Sequence, residues 1–188
     1  SHQRSLQIPA FPGYYVYPGG KVDAEDSANY TCTLSHHVLQ QSANHSGHKQ
    51  IPSPEYWVAA IRELFEETGI LLARDGKGEA LWHHSEPFTE HRDAINTKQL
   101  SFFDFCQQQQ LSLATDKLHY FCHWVTPTHF PYRFNTRFFI THIPLTTTTT
   151  FDCKEANQDV WIDPRQAIKQ FQDGKLEMIL PTSATLES

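Results

Sequence analysis

The segment Arg62-Glu63-Leu64-Phe65-Glu66-Glu67-Thr68-Gly69-Ile70 constrains this chain more than any other. It closes a helix predicted over 54–68. Ser53 can cap that helix, Pro54 suits its first turn, and Gly69 can end it in a left-handed conformation. At about 100° per residue, Glu63, Glu66 and Glu67 fall on one face within roughly 100°. Ala59 and Ala60 lie on or beside that face and leave room for an approaching group. Trp57, Val58, Ile61, Leu64, Phe65 and Thr68 form the opposite, buried stripe. The acidic placement works against helix stability. Each carboxylate near a helix C-terminus opposes the macrodipole by about 0.3–1 kcal/mol, and Glu63 and Glu67 repel at i, i+4. Arg62 offsets part of this by pairing with Glu66. On the helix alone two readings stand. One is a solvated acidic face. The other is a divalent cation site, whose hard oxygen donors favour magnesium or manganese.

The upstream sequence shifts the balance to the second reading. An aromatic, strand-like run, Tyr14-Tyr15-Val16-Tyr17, leads into Pro18-Gly19-Gly20-Lys21-Val22-Asp23. A strand, a Gly-Gly turn and a helix with clustered Glu resemble the Nudix hydrolase superfamily. Its signature reads Gly, five residues, Glu, seven residues, then Arg-Glu-apolar-x-Glu-Glu-x-Gly-apolar. Arg62 to Ile70 matches the second half without exception. The first half departs twice. Asp26 stands where the signature has Glu, and 35 residues separate it from Arg62, 28 more than the signature allows.

An interrupted box of this kind resembles one branch, the peroxisomal-type coenzyme A diphosphatases and their bacterial relatives. Gly19-Gly20, Asp23 and Asp26 are close to that branch's Gly-Gly-x-x-Asp-x-x-Asp form. Trp124-Val125-Thr126-Pro127 and Arg133-Phe134-Asn135-Thr136-Arg137-Phe138-Phe139 are similar to two of its strands. Trp161-Ile162-Asp163-Pro164 and Leu180-Pro181-Thr182 resemble its C-terminal third. The resemblance covers nearly the whole chain. It implies one Nudix domain over 1–188, an α/β/α sandwich with a mixed β-sheet, interrupted by an inserted loop at about 27–52.

Hydrolysis of a diphosphate needs charge neutralisation and a positioned nucleophile, and divalent metal ions serve both needs. Glu63, Glu66 and Glu67 suit that role physically, and the resemblance assigns it to the same positions. Glu67 is the foremost ligand. Glu63 follows, as ligand or as the group that accepts a proton from water. Arg62 joins the catalytic set by orienting Glu66, not by touching substrate. Gly19 and Gly20 permit a sharp turn and close approach, and the Gly20 carbonyl is a further candidate ligand. Asp26 reads either as an outer support or as a turn-capping residue. Glu155, in an acidic loop, reads either as a remote metal carboxylate or as a solvated side chain. Arg133 and Arg137 can fork onto phosphate oxygens, with Phe130, Tyr132 or Phe134 stacking a base. Sheet packing is the preferred reading for Phe138 and Phe139.

At 188 residues the chain suffices for one domain with a sizeable core. A net charge of −6 argues against nucleic acid as a partner. It permits a phosphorylated small molecule, because bound metal reverses the local field. Cys32, Cys106, Cys122 and Cys153 lie far apart with no Cys-x-x-Cys pair. They read as reduced thiols of an intracellular, cytoplasmic protein, with a disulfide left open. No apolar run approaches the roughly 18 residues of a membrane helix, and no signal peptide is visible. A homodimer is left open.

Along the chain, 13–17 reads as a strand. The 27–52 insertion is polar, with a helix at 34–41. Its length is that of a loop covering a site. Its histidines, His36, His37, His45 and His48, lack zinc spacing and read as solvated. Strands are predicted at 69–74 and 79–84 around a Gly76–Gly78 turn. One helix is predicted over 91–109, with Ile95, Leu100, Phe102, Phe103, Phe105 and Cys106 apolar. Strands follow at 118–125 and 136–143, with Thr146–Thr150 as a strand end or loop. Asp163-Pro164 opens a further helix at 164–173, stopped by Gly174. The ends read as cut. Ser1-His2 resembles a tag scar, no strand is visible before Arg4-Ser5, and Leu180-Pro181-Thr182-Ser183 begins a helix that the sequence does not complete.

The leading function is a metal-dependent hydrolase acting on a nucleoside diphosphate linked to another group. The branch resemblance implies coenzyme A or acyl-coenzyme A. The alternatives are an ADP-ribose or nucleotide-sugar pyrophosphatase, and a Nudix-fold binding module without catalysis. The intact Arg62–Gly69 motif argues against the last.

Overall fold

The computed structural model describes residues 2–4, 13–31, 52–82, 86–129, 133–144, 147 and 156–187. In chain order its elements are β1 (His2–Arg4), β2 (Tyr15–Val16), α1 (Glu55–Thr68), β3 (Ala73–Arg74), α2 (Thr89–Asn96), α3 (Phe102–Gln108), β4 (Ser112–Leu113), β5 (Leu118–Val125), β6 (Asn135–Thr141), β7 (Ala156–Asp159), α4 (Pro164–Gln172) and α5 (Leu180–Glu187). The chain divides into two compact units. One comprises 19–125 and 135–150, the other 1–18, 126–134 and 151–188.

The first unit is organised by α1. Pro54 sits at its N-cap with helical dihedrals and no side-chain cap. Ser53 is therefore not the cap expected of it; its hydroxyl donates to the Glu55 carboxylate instead. The other end forms as predicted. Gly69 adopts φ 76° and donates its N–H to the Phe65 carbonyl. Trp57, Val58, Ile61, Phe65 and Thr68 are buried, whereas Leu64 is half-buried and Ala59 is buried. Trp57 Nε1 donates to the Leu118 carbonyl at 3.2 Å, tying α1 to β5. Phe65 stacks on Phe105 at 5.5 Å, and Phe139 meets Trp57 edge-on at 5.0 Å. Burying each such ring contributes about 1.5–3 kcal/mol. Phe139 thus packs as expected of a sheet residue.

The single helix predicted over 91–109 is two helices. α2 ends at Asn96, Lys98 turns left-handed at φ 58°, and Ser101 caps α3 by accepting the Asp104 N–H at 3.0 Å. Ile95, Phe102, Phe105 and Cys106 are all buried and keep helical spacing across the break. Periodicity alone therefore hides it.

Among the described residues, the strands predicted at 69–74 and 79–84 form only in part, and residues 83–84 lie outside the described residues. Ile70, Leu71 and Leu72 are buried without strand pairing, and β3 holds only two residues, paired antiparallel with β4. The second run contributes one bridge, Ala80 to Arg74. The intervening turn forms, with the Asp75 carboxylate accepting from the Lys77 and Glu79 N–H groups and Gly78 at φ 86°. β5 and β6 pair antiparallel from Leu118↔Thr141 to Val125↔Asn135, with an irregularity between Tyr120 and Cys122. Residues 27–31 and 52 of the predicted inserted loop are described. Ala24–Ser27 is a short 3-10 helix, and Tyr30 is buried edge-on against Phe103 at 5.1 Å.

In the second unit β1 lies between β2 and β7, antiparallel to both, and a parallel bridge joins Tyr15 to Met178. Tyr15, Leu176 and Met178 are its buried core, with Val160, Ile162, Ile168 and Leu186 against them. β1, not read from the sequence, has three residues and is too short to carry a pattern. α4 starts as predicted, with Asp163 accepting from Arg165 and Gln166. α5 corrects the unfinished helix of the sequence reading: it runs to Glu187, with the Ser183 and Thr185 hydroxyls donating to backbone carbonyls of its own turns. The core of the insertion (its four histidines and the predicted 34–41 helix), Phe130, Tyr132, Glu155, Cys32 and Cys153 lie outside the described residues. Cys106 is a buried free thiol. No helix among the described residues is long and apolar enough to cross a membrane.

Candidate active site

The acidic end of α1 is organised around a buried cation. Arg62 is 1% exposed. Its Nε and Nη2 donate to Asp26 Oδ1 and Oδ2 at 2.9 and 3.0 Å, a two-point pair. Nη2 also donates to the Lys21 carbonyl at 2.8 Å. Nη1 donates to Glu63 Oε1 at 2.9 Å and to Glu66 Oε1 at 3.3 Å. These bonds engage all five N–H donors of the guanidinium. Burial opposes its charge, but the Asp26 hydrogen bonds and the fields of Glu63, Asp26 and Glu66 outweigh it and raise its pKa. A residue so enclosed fixes the placement of the carboxylates around it.

Asp26 joins a turn to the buried arginine. It is 1% exposed. Its Oδ2 accepts the Asp23 N–H at 2.7 Å, which closes the start of the 3-10 helix. The same carboxylate holds Arg62.

Glu63, Glu66 and Glu67 lie half-buried on the remaining face. Glu67 Oε2 accepts the Gly19 N–H at 3.0 Å. Gly19 has φ 151°, a region open essentially to glycine. A Cβ added at Gly20 would sit 2.6 Å from the Glu63 carboxyl carbon. The Gly-Gly turn is therefore required by close approach to the two outer glutamates. Burial raises the Glu66 pKa, and Arg62 and then Lys98 pull it back. The donor set, all carboxylate oxygen, fits a hard divalent cation. Among the described residues no three His, Cys, Asp or Glu side chains are gathered into a ready cage. Magnesium takes only one or two carboxylates and retains water, so a closed cage is not needed for it.

A family model described as the NUDT19 Nudix domain matches residues 2–186. The chain belongs to the NUDT19 Nudix domain family. It is similar to a Caenorhabditis elegans protein carrying the name nudix hydrolase 7, at 26% identity over 181 residues, covering 95% of this chain and 51% of that protein. It is also similar to the acyl-coenzyme A diphosphatase NUDT19 of Xenopus laevis, at 23% identity over 207 residues, covering 93% and 54%. The chain spans about half the length of these curated relatives. The crystal structure of a NUDIX hydrolase from Alicyclobacillus acidocaldarius matches it with a TM-score of 0.73, over 99% of this chain and 80% of that one, at 22% identity. The mixed α/β fold is thus the Nudix sandwich that the resemblance implied, and this is a Nudix hydrolase domain.

Within this Nudix domain the remaining predicted residues are dispersed. Arg137 stands with its guanidinium carbon 4.2 Å from the Tyr56 ring centre, and its Nη1 donates to Asn135 Oδ1 at 2.8 Å. Tyr56 opens α1 and Glu63 to Glu67 close it, roughly 10–16 Å further along the axis. Arg137 is therefore not in the carboxylate cluster. Arg133 is exposed just before β6. Two residues escaped the sequence reading. Arg92 Nε donates to the Glu66 carbonyl at 2.9 Å and Asn96 Nδ2 to the same oxygen at 3.2 Å. Their i, i+4 spacing on α2 was the available signal.

Proposed function

We propose that this domain is a metal-dependent diphosphatase acting on a nucleoside diphosphate linked to another group, most specifically coenzyme A or an acyl-coenzyme A. The observation that carries it is the triad Glu63, Glu66 and Glu67 on one face of α1, held from beneath by Arg62–Asp26 and edged by the Gly19–Gly20 turn. A divalent cation is the usual cofactor of Nudix hydrolases. Glu67 and Glu63 would hold magnesium or manganese here, with Glu66 and the Gly20 backbone as further oxygen donors. The ion would supply charge neutralisation at the diphosphate and a lowered pKa for attacking water. Glu63 would serve as ligand or as acceptor of the water proton, and Arg62 fixes the Glu63 and Glu66 carboxylates.

The coenzyme A reading rests on the branch-like Gly-Gly-x-x-Asp-x-x-Asp segment and on the likeness to a relative named as an acyl-coenzyme A diphosphatase. Arg133, Arg137 and Tyr132 are the proposed substrate contacts, and Glu155 a remote carboxylate. We read residues 2–186 as one catalytic domain. Incubation with coenzyme A, ADP-ribose and a nucleotide sugar, with and without magnesium or manganese, tests the proposal by chromatography of the products. Cation-dependent release of 3′,5′-ADP from coenzyme A is expected. Preference for ADP-ribose would replace the substrate, and no cleavage of any would leave a binding module.

A further inference from the structure

Helix α1 ends abruptly just where the candidate metal-binding glutamates sit. The natural partner of the Glu66 carbonyl, the Ile70 N–H, donates instead to Thr68 Oγ1 at 3.2 Å. The Thr68 hydroxyl turns back to the Leu64 carbonyl at 2.6 Å, and the Gly69 N–H closes on Phe65. The Glu66 carbonyl is thereby left outside the helix's own ladder. α2 supplies both of its donors. Arg92 is buried, and Arg92 and Asn96 lie one turn apart on one face of α2, each donating to one lone pair of that oxygen. The Arg92 cation also faces the negative end of a dipole that three glutamates make worse.

We propose that Arg92 and Asn96 are positioning residues. By gripping the Glu66 carbonyl they fix the end of α1, and so the placement of the Glu66 and Glu67 carboxylates for cation and substrate. This rests on the diphosphatase reading above, and a small displacement of such groups is enough to slow turnover severely.

The test compares the parent with Asn96→Leu, Arg92→Met and Arg92→Lys. Asn96→Leu removes the donor at similar size and raises helix propensity, so it keeps the fold even where Arg92→Met does not. Three readouts are taken: manganese affinity by electron paramagnetic resonance, the split between kcat and KM, and amide exchange at 66–70. For Asn96→Leu and Arg92→Met we expect kcat about tenfold lower with KM little changed, manganese affinity lowered severalfold, and faster exchange at 66–70. Arg92→Lys, which keeps the charge, should recover part of each. Faster exchange with parental manganese affinity and kcat would make the pair purely structural and overturn the inference, leaving the diphosphatase reading intact. A parent that neither binds manganese nor turns over any substrate would remove that reading and the inference with it.

Discussion

Arg62 and Asp26, 36 positions apart in sequence, form a two-point ion pair that is almost wholly withdrawn from water. Asp26 takes up Arg62's Nε and Nη2 and leaves Nη1 aimed at Glu63 and Glu66. The insertion between them leaves this pair intact, so the acidic half of the motif acts at a distance through one arginine. Asp26→Ala leaves a buried guanidinium without its main counter-charge. We expect it to destabilise the domain by about 3–5 kcal/mol, measured by chemical denaturation. A loss under about 1 kcal/mol would mean that Glu63, Glu66 and Lys21 suffice to hold Arg62.

Glu67→Gln should keep the fold and remove most turnover in saturating magnesium. Without metal, its melting temperature should equal or slightly exceed the parent's, since a charge repelled by Glu63 and the helix dipole is gone. The change also weakens acceptance of the Gly19 N–H, so the gain stays within about 0.5 kcal/mol. Parental turnover would sink the assignment of Glu67 as a ligand.

Gly20→Ala introduces a methyl against the Glu63 carboxylate. The obstructing atoms end a flexible side chain, so the carboxylate moves and the backbone need not. Hydrolysis should therefore fall at least tenfold while stability changes by less than about 1–3 kcal/mol, the usual range for overpacking. Steady-state kinetics beside thermal melts separate the two; unchanged kinetics would show that Glu63 has room to spare.

Cys106 gives a prediction for alkaline pH. Burial, with the Glu25 field behind it, pushes its thiol from 9.0 up to about 12. A raised pKa makes a contribution fully present below 9.0 and lost as pH rises toward 12, because the unfolded thiol ionises first. The loss is on the order of 4 kcal/mol at most. Tyr30, also raised by burial, adds in the same direction. The measured quantity is thus the difference in pH slope between parent and Cys106→Ala. Identical slopes between pH 9 and 11 would refute the shift.

Arg133→Ala addresses substrate choice. Coenzyme A carries a 3′-phosphate absent from its dephospho form. If Arg133 holds that phosphate, kcat/KM for coenzyme A should drop by the equivalent of about 1.5–3 kcal/mol, with little change for dephospho-coenzyme A. Equal losses on both would assign Arg133 to the diphosphate or to packing alone.

Much of α1 was legible in the residues. Its burial period, the glutamate face and the Gly69 stop are local patterns, set by 3.6 residues per turn and by glycine's access to positive φ. The same holds for the Asp163 cap of α4 and for the β5 and β6 runs, long enough to carry their own signal. β2 falls inside the strand read at 13–17 and β3 inside that read at 69–74, but β1 and β4 were not legible, because a segment of two or three residues has no period to read. The break between α2 and α3 was masked by apolar spacing that continues through it, and only the Ser101 cap and the Lys98 turn reveal it. The site divides along the same line. Sequence alone determined which carboxylates share a face, since that is a property of one helix. Tertiary structure alone decided that Asp26 reaches Arg62 and that Arg92 and Asn96 reach the Glu66 carbonyl. Those contacts join segments 26–36 residues apart, and buried charges and orphan carbonyls must find partners wherever the fold brings them.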